Sequence, residues 1–313
     1  MTEFPLVTII TPSYNQAAFL EQTMRSVLEQ DYPNIEYLVA DGGSDDGSAA
    51  IIQRYADRLA WWVSEKDHGQ AEAIDKGFAR AHGEYVAWVN SDDFYMPGTV
   101  TAAVKALQAH PEAGMVFGDV QVVDKDEKVL NHLRYGDWGL KELMTFHIIG
   151  QPAVFMRREV LEKAGFLDPT YHFMLDHQLW LRMALQAGIH YEPQLWAGAH
   201  YHEGCKNLLQ AAEFGKEAYR IVDWMRQTPA YAEKFFCLAP YIMAGAERIN
   251  GFYLLDAKEY RKSWRAYWRG FLLAPEIVLP EWYRMVFALL APLGLEGLRE
   301  RRIRNRSEHL NAA

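Results

Sequence analysis

The apolar run Glu84-Tyr-Val-Ala-Trp-Val89 passes directly into Asn90-Ser91-Asp92-Asp93. A short apolar run bounded by a polar turn reads as a buried strand. Two adjacent carboxylates at the end of such a strand are costly unless a positive charge sits against them. A hard divalent cation carrying the phosphates of a nucleotide meets that need. Taken alone, the tetrapeptide reads equally well as an acidic turn, in which Asp bonds its own backbone.

Upstream, short apolar runs alternate with amphipathic ones. Leu6–Thr11, Ile35–Ala40 and Leu59–Ser64 are expected strands. Between them fall expected helices over 16–30, 48–55 and 69–82, the first with Phe19, Leu20, Thr23, Met24, Val27 and Leu28 on one stripe. Such alternation implies a mostly parallel sheet with helices on both faces, where ligands bind beyond the carboxyl ends of the strands. Four polar clusters fall at those ends: Pro12-Ser-Tyr-Asn15, Asp41-Gly-Gly-Ser44, Glu65-Lys-Asp-His68 and Asn90–Asp93. From about residue 115 the pattern loosens, with strands expected at 114–123, 153–157, 189–192 and 195–201 and a helix at 175–187. Beyond Lys206 the periodicity is helical.

Half of the 313 residues are apolar and 23% are charged, the balance of a globular protein. A net charge of -9 speaks against a general nucleic-acid binder. Residues 258–306 run against the trend, with 11 Lys/Arg and 5 Asp/Glu. Cys205 and Cys237 are too few for a disulfide framework and read as reduced thiols. The acidic start runs straight into a strand, so no signal peptide is expected. No apolar run reaches the roughly 18–20 residues of a membrane span. The expected location is cytoplasmic.

Asp41-Gly-Gly-Ser-Asp-Asp-Gly-Ser48 looks at first like a calcium loop, but counting from Asp41 the third position is Gly43 and the twelfth is Ile52. No G-x-G-x-x-G follows the first strand, so it is not a dinucleotide fingerprint either. A carboxylate at a strand end before glycines can accept the ring N–H of a base. A helix N-cap ahead of residue 48 is the plainer role, and it suits Asp45 or Asp46 better than Asp41.

Ile10-Thr-Pro-Ser-Tyr-Asn15, Asp41–Gly47, His68-Gly-Gln70 with Ala73, and Trp88-Val-Asn-Ser-Asp-Asp93 occur here in an order that resembles the family 2 glycosyltransferases of the A-type (GT-A) fold. The resemblance covers roughly residues 5–207. It implies an α/β fold: a Rossmann-like nucleotide half to about residue 115, a mixed acceptor half over 116–207, and a helical C-terminal extension over 208–313. It implies a nucleotide-sugar donor, usually a UDP-sugar. By that likeness Pro12 and Tyr14 flank the base, Asp41 accepts its N3–H, and Asp67 and Gln70 line the nucleotide cleft. Asn90–Asp92 corresponds to the family's Asp-x-Asp motif, with Asn90 and Ser91 at the nucleotide and Asp92 on Mg²⁺ or Mn²⁺. Asn90 stands where Asp is commoner, so it contributes no charge. Asp93 either shares the metal role or orients the loop.

Tyr171-His-Phe-Met-Leu-Asp-His-Gln-Leu-Trp-Leu-Arg182 resembles the family segment in which an Asp precedes a Leu-Trp-Leu-Arg helix. That likeness makes Asp176 the general base on the acceptor hydroxyl; capping the helix is its plainer role. Gln151, Trp180 and Arg182 fall in the acceptor half. His200-Tyr-His-Glu-Gly-Cys-Lys206 resembles a closing loop in which His202 is either a third metal ligand or a contact to the diphosphate and Lys206 neutralises phosphate; plain loop structure is the other reading of His202. There His200 replaces the usual Arg and Cys205 the usual Ser.

The basic tail mixes Trp and Tyr with Arg, the composition of helices lying at a bilayer interface. It reads either as a peripheral membrane contact through 258–306, near a saccharide or polyprenyl-linked acceptor at the inner face, or as a helical cap on the catalytic domain. The expected activity is inverting transfer of a sugar with a divalent metal. A sugar-1-phosphate nucleotidyltransferase is the alternative among enzymes, although residues 11–16 lack its Gly-rich, basic phosphate loop. A sugar-nucleotide-binding protein without catalysis is the alternative outside them.

Overall fold

The computed structural model describes residues 4–202 and 210–294, with residues 297, 307, 308, 310 and 311 beyond them. The chain divides into two compact units. The first comprises Met1–Gly139 and Ile149–His200, the second Leu140–Ile148 and Tyr201–Ala313.

In the first unit β1 (Val7–Ser13), β2 (Ile35–Asp41), β3 (Trp61–Ser64) and β4 (Tyr85–Trp88) lie parallel in the order β3-β2-β1-β4. β1 and β4 are buried along their whole length, which is why they read as unbroken apolar runs. α1 (Leu20–Leu28), α2 (Ser48–Arg54) and α3 (Gln70–Phe78) make the crossovers. Then follow β5 (Asp93–Tyr95), α4 (Thr99–Ala109), β6 (Ala113–Val123), β7 (Val129–Leu133), α5 (Leu140–Met144, in the second unit), β8 (Val154–Arg157), α6 (Arg158–Ala164), α7 (Leu175–Gln186) and β9 (Gly188–His200). β8 runs antiparallel to both β4 and β6, and β9 pairs parallel with β6, so the sheet turns mixed beyond β4.

The elements α4, β7, α5 and α6 have no counterpart in the sequence reading, and β5 and β9 depart from it. β5 has three residues, too short to show alternation, and Asp93 opens it. The two expected late strands are one, β9. Its register against β6 shifts between Phe117 and Asp119, and Pro193 lies in that shift. A proline has no ladder N–H to lose at a bulge.

The second unit contains the helices Ala211–Gln227, Ala232–Asp256, Tyr260–Leu273 and Trp282–Leu290. Glu247 lies at its centre. Its carboxylate accepts two bonds from Arg269, at 2.7 and 2.8 Å, and one from Tyr219 Oη at 2.7 Å. The Arg284 guanidinium lies 4.2 Å from the centre of the Phe252 ring. Two of the tail's arginines are thus engaged within this unit: Arg269 is paired with Glu247 while its side chain is 53% exposed, and Arg284 is largely buried. The helix Trp282–Leu290 turns Trp282, Val286 and Leu289 outward, at 60%, 41% and 53% exposure, while Ala288 is buried. Among the described residues no helix is long and apolar enough to cross a membrane.

Candidate active site

The register of the parallel strands sets Ser13, Asp41 and Ser64 side by side at one edge. Asp41 is buried there. Its Oδ2 accepts the N–H of Gly43 (3.2 Å), the N–H of Ser44 (2.9 Å) and the hydroxyl of Ser64 (2.6 Å), and its Oδ1 accepts the Ser44 hydroxyl. A carboxylate offers about four lone-pair sites. Asp41 thus organises the loop after β2, and of its two oxygens only Oδ1 keeps a lone pair that these four bonds do not use.

This loop interlocks with the one after β1. Asn15 N–H donates to Ser44 Oγ (2.8 Å), Asp45 N–H to Asn15 Oδ1 (3.0 Å), Gln16 N–H to Ser48 Oγ (3.2 Å) and Ala17 N–H to Asp46 Oδ2 (2.8 Å). Asn15 has φ +52°, a left-handed conformation that Asn tolerates. Pro12 is buried in β1, while Tyr14 is 63% exposed at the rim. Gly42 lets the next loop close in, since a Cβ there would lie 2.8 Å from Asp67 Oδ2. Asp67 itself accepts the Gly69 N–H at 2.9 Å, ahead of α3.

The turn after β4 is fixed by three residues acting in series. Gln70 Nε2 donates to Asn90 Oδ1 (2.7 Å), and Asn90 Nδ2 donates to Asp93 Oδ2 (3.2 Å). Ser91 is buried within the turn. The backbone is held from both sides. Thr23 Oγ1 of α1 donates to the Asp93 carbonyl at 2.6 Å, and His200 bonds the Asp92 carbonyl through Nδ1 at 2.7 Å. His200 lies against Phe19 and Phe94, with ring centres 4.8 and 5.3 Å away. Thr23 and His200 escaped the sequence reading as site residues. Their only signals are a hydroxyl within an apolar helical stripe and a histidine in a position usually held by Arg.

Asp93 is 7% exposed. Burial pushes its carboxyl well above the usual carboxylate range, the Asp92 charge pushes the same way, and the Asn90 amide opposes them. A cation beside the pair would relieve both upward pressures. The donor set, two carboxylates on a pinned turn, suits a hard ion such as Mg²⁺ or Mn²⁺ that keeps most of its shell for water and phosphate. Asp92 and Asp93 therefore fit a divalent cation.

Asp176 lies in the first turn of α7, where its Oδ1 accepts the His177 N–H at 2.7 Å. The N-cap is Met174, which makes no side-chain cap. α7 packs on β4 through Trp180 and Trp88, with ring centres 5.2 Å apart and planes at 28°. The helix bearing Asp176 and the strand leading into Asp92 are thus adjacent. Trp180 is 0% exposed. It belongs to the core and offers no surface to an acceptor. Arg182 likewise departs from the expected acceptor role. Its guanidinium donates to the carbonyls of Ala164 (2.7 Å), Gly165 (2.8 Å) and Phe166 (2.6 Å) and so fixes the turn after α6. Gln151 donates from Nε2 to the Trp88 carbonyl at 2.7 Å, and its buried Oε1 has no hydrogen-bond partner among the described residues. Ser13 Oγ, at the strand edge, is buried and unpartnered in the same way. His202 belongs to the second unit, and Lys206 lies outside the described residues.

A cleft of about 270 Å³ opens beside α3, lined by His68, Ala71, Glu72, Asp75, Pro169 and His172. Asp75 accepts the Leu167 N–H at 3.2 Å. Burial raises its pKa to about 6, against the opposing pull of that N–H and of the Arg182 charge.

A nucleotide-type edge on a sheet that turns antiparallel beyond β4 defines the GT-A class. Residues 8–165, half of the chain, match the sequence profile of glycosyl transferase family 2, and the chain belongs to that family. A Rickettsia bellii protein described as an uncharacterized glycosyltransferase is 26% identical over 219 residues, which is 66% of this chain. The match spans only 32% of that relative's length. S. aureus TarS 1–349, solved with UDP-GlcNAc, superposes with a TM-score of 0.59 at 18% identity, covering 96% of this chain and 89% of that one. The Pyrobaculum calidifontis mannosyltransferase PcManGT, solved with GDP-Man and Mn²⁺, gives 0.62 at 23% identity, covering 94% and 87%. These likenesses establish the GT-A fold.

Proposed function

We propose that this chain is an inverting, metal-dependent glycosyltransferase with its catalytic domain in residues 1–207 and a helical extension over 208–313. It moves a sugar from a nucleoside-diphosphate sugar, UDP being the first expectation, to a saccharide or polyprenyl-linked acceptor. The observation that carries this reading is the line Gln70–Asn90–Asp93, which ties the nucleotide side of the cleft to a buried acid pair. TarS was solved with a UDP-sugar and PcManGT with a GDP-sugar, so the fold alone leaves the base open and the loops after β1 and β2 choose it.

Asp92 and Asp93 would hold Mg²⁺ or Mn²⁺. When bound, the cation supplies electrostatic stabilisation of the departing diphosphate. Pro12 and Tyr14 flank the base, Asp41 accepts its N3–H, and Asp67, Gln70, Asn90 and Ser91 line the nucleotide. Asp176 takes the proton of the acceptor hydroxyl as that oxygen bonds to the anomeric carbon. The bond from that carbon to the diphosphate breaks, and its electron pair leaves with the nucleotide. One displacement inverts the configuration, and the base contributes about 10²–10⁴-fold. Gln151 is the candidate residue on the acceptor side, acting from beneath the surface, since its buried amide oxygen has no partner among the described residues.

Thermal unfolding with Mn²⁺ and, in turn, UDP, dTDP, GDP, CDP and ADP tests the donor half. At about 100 times Kd a ligand stabilises the fold by roughly 2.7 kcal/mol. A metal-dependent rise with one pyrimidine diphosphate, absent from Asp92→Ala, is the expected result. A rise unaffected by that substitution removes the acid pair from the site.

The outward apolar face at Trp282, Val286 and Leu289, on a segment rich in Lys and Arg, supports peripheral docking on an anionic membrane at the cytoplasmic inner face. Trp282→Ala combined with Leu289→Ser should then lose flotation with anionic vesicles while keeping the melting temperature. Equal flotation removes the idea.

A further inference from the structure

His110, His190 and Glu192 offer three ligand atoms that all lie within 4.8 Å of one another. No step of the proposed transfer uses them. His110 closes α4, and His190 and Glu192 are two apart on β9, so they share a face of that strand. β6 runs parallel to β4, since both are antiparallel to β8. The cluster lies where β6 and β9 begin, and the acid pair follows the finish of β4. The two therefore occupy opposite ends of the sheet.

The imidazoles of His110 and His190 are stacked, with centres 3.5 Å apart and planes at 18°. An imidazole nitrogen ligates through the lone pair in the plane of its ring, so one of these stacked rings must turn for both to reach one ion. His190 Nε2 lies 3.1 Å from Glu192 Oε1. Ligands on tetrahedral zinc, with bonds of about 2.0–2.1 Å, stand roughly 3.3 Å apart. Glu112 holds His110 Nδ1 at 3.2 Å, which leaves Nε2 as the ligating nitrogen, the arrangement of a carboxylate behind a metal-bound histidine. Arg157 fixes the turn that carries His110, donating to the carbonyls of Ala113 (2.9 Å) and His110 (3.3 Å).

We propose that His110, His190 and Glu192 form a second cation site, selective for Zn²⁺ and similar imidazole-binding metals, separate from the oxygen-lined site at Asp92 and Asp93. Two imidazoles and one carboxylate suit Zn²⁺ far better than Mg²⁺ or Mn²⁺. Three protein ligands leave a fourth position to water, and the partly exposed side chains leave the site open to exchange with solvent.

The test is calorimetric titration of the metal-stripped full chain with Zn²⁺ at pH 7.5, with Co²⁺ absorption as a reporter of tetrahedral geometry. One equivalent should bind, with affinity falling in acid because protons compete with the metal for its ligands. His190→Ala and Glu192→Gln should each weaken binding about 100-fold. His82→Ala, which removes a histidine from an exposed pair with Glu36, should not. The rise in melting temperature with Mn²⁺ and nucleotide should persist in His190→Ala, which separates this proposal from the donor site. Should His190→Ala fail to fold, Glu192→Gln alone decides. Absence of one-to-one zinc binding, or equal binding by wild type and Glu192→Gln, overturns the proposal.

Discussion

Asp75 shows how far one side chain can be read. Its folded pKa of about 6 lies above the ordinary 3.8 because burial disfavours the carboxylate. The charged form is thus less stable folded than unfolded. Asp75 costs nothing below about pH 4, and its cost grows between pH 4 and 6 and then stays constant. The full shift corresponds to about 3 kcal/mol, and solvent screening of a partly exposed group reduces this to about 1 kcal/mol. Asp75→Asn keeps an acceptor for the Leu167 N–H and should raise the melting temperature by about 2–4 °C at pH 8 but not at pH 4. An equal gain at both pH values would rule out titration as the cause. Asp176→Asn should retain the nucleotide-induced rise in melting temperature and lose about 10²–10⁴ in kcat, because a base acts in the transition state. Loss of nucleotide binding would instead put Asp176 on the donor side. The sequence shows these acids because a carboxylate at a strand end or helix start is conspicuous. It could not show that Trp180 is buried in the core or that Arg182 is taken up by the carbonyls of the turn after α6. Asp176 and Trp180 sit one turn apart, and only packing against Trp88 decides which of them meets solvent.

At the scale of elements, α3 delivers Gln70 to Asn90, and Gly77 sets how closely α3 approaches β1. A Cβ at position 77 would lie 2.6 Å from both γ-carbons of Ile10. Alanine would gain about 1 kcal/mol of helix propensity, while overpacking a close contact costs about 1–3 kcal/mol. Gly77→Ala should therefore be destabilising in net. By lifting α3 it should also blunt the metal-dependent nucleotide shift more than its own stability loss explains. Denaturant unfolding alongside the nucleotide melts would separate the two effects. The parallel half was legible because strands buried on both faces are continuous apolar runs. β5 and the unbroken β9 were not. One is shorter than a period, and the other is interrupted in sequence by a proline that the bulge absorbs.

For the molecule as a whole, charge is distributed unevenly: residues 258–306 carry an excess of cations within a chain of net charge -9. Arg269 is paired with Glu247 and Arg284 is largely buried, so less uncompensated charge is available at the surface than the composition suggests. Association with anionic vesicles should weaken on raising salt from 50 to 300 mM, where screening sets in over about 10 Å or less. It should leave a salt-resistant part supplied by Trp282, Val286 and Leu289. Binding indifferent to salt would mean that the arginines take no part.

The mutual bracing of the loops after β1 and β2 bears on attempts to redesign the donor preference. Side chains of Ser44, Asp46 and Ser48 accept the backbone N–H groups of Asn15, Ala17 and Gln16, and Asn15 accepts that of Asp45 in return. Grafting either loop alone from a family member with another nucleotide would orphan several N–H groups. A chimera should recover binding only when both loops travel together, so the two segments form one exchangeable cassette despite the helix and strand that separate them in the chain.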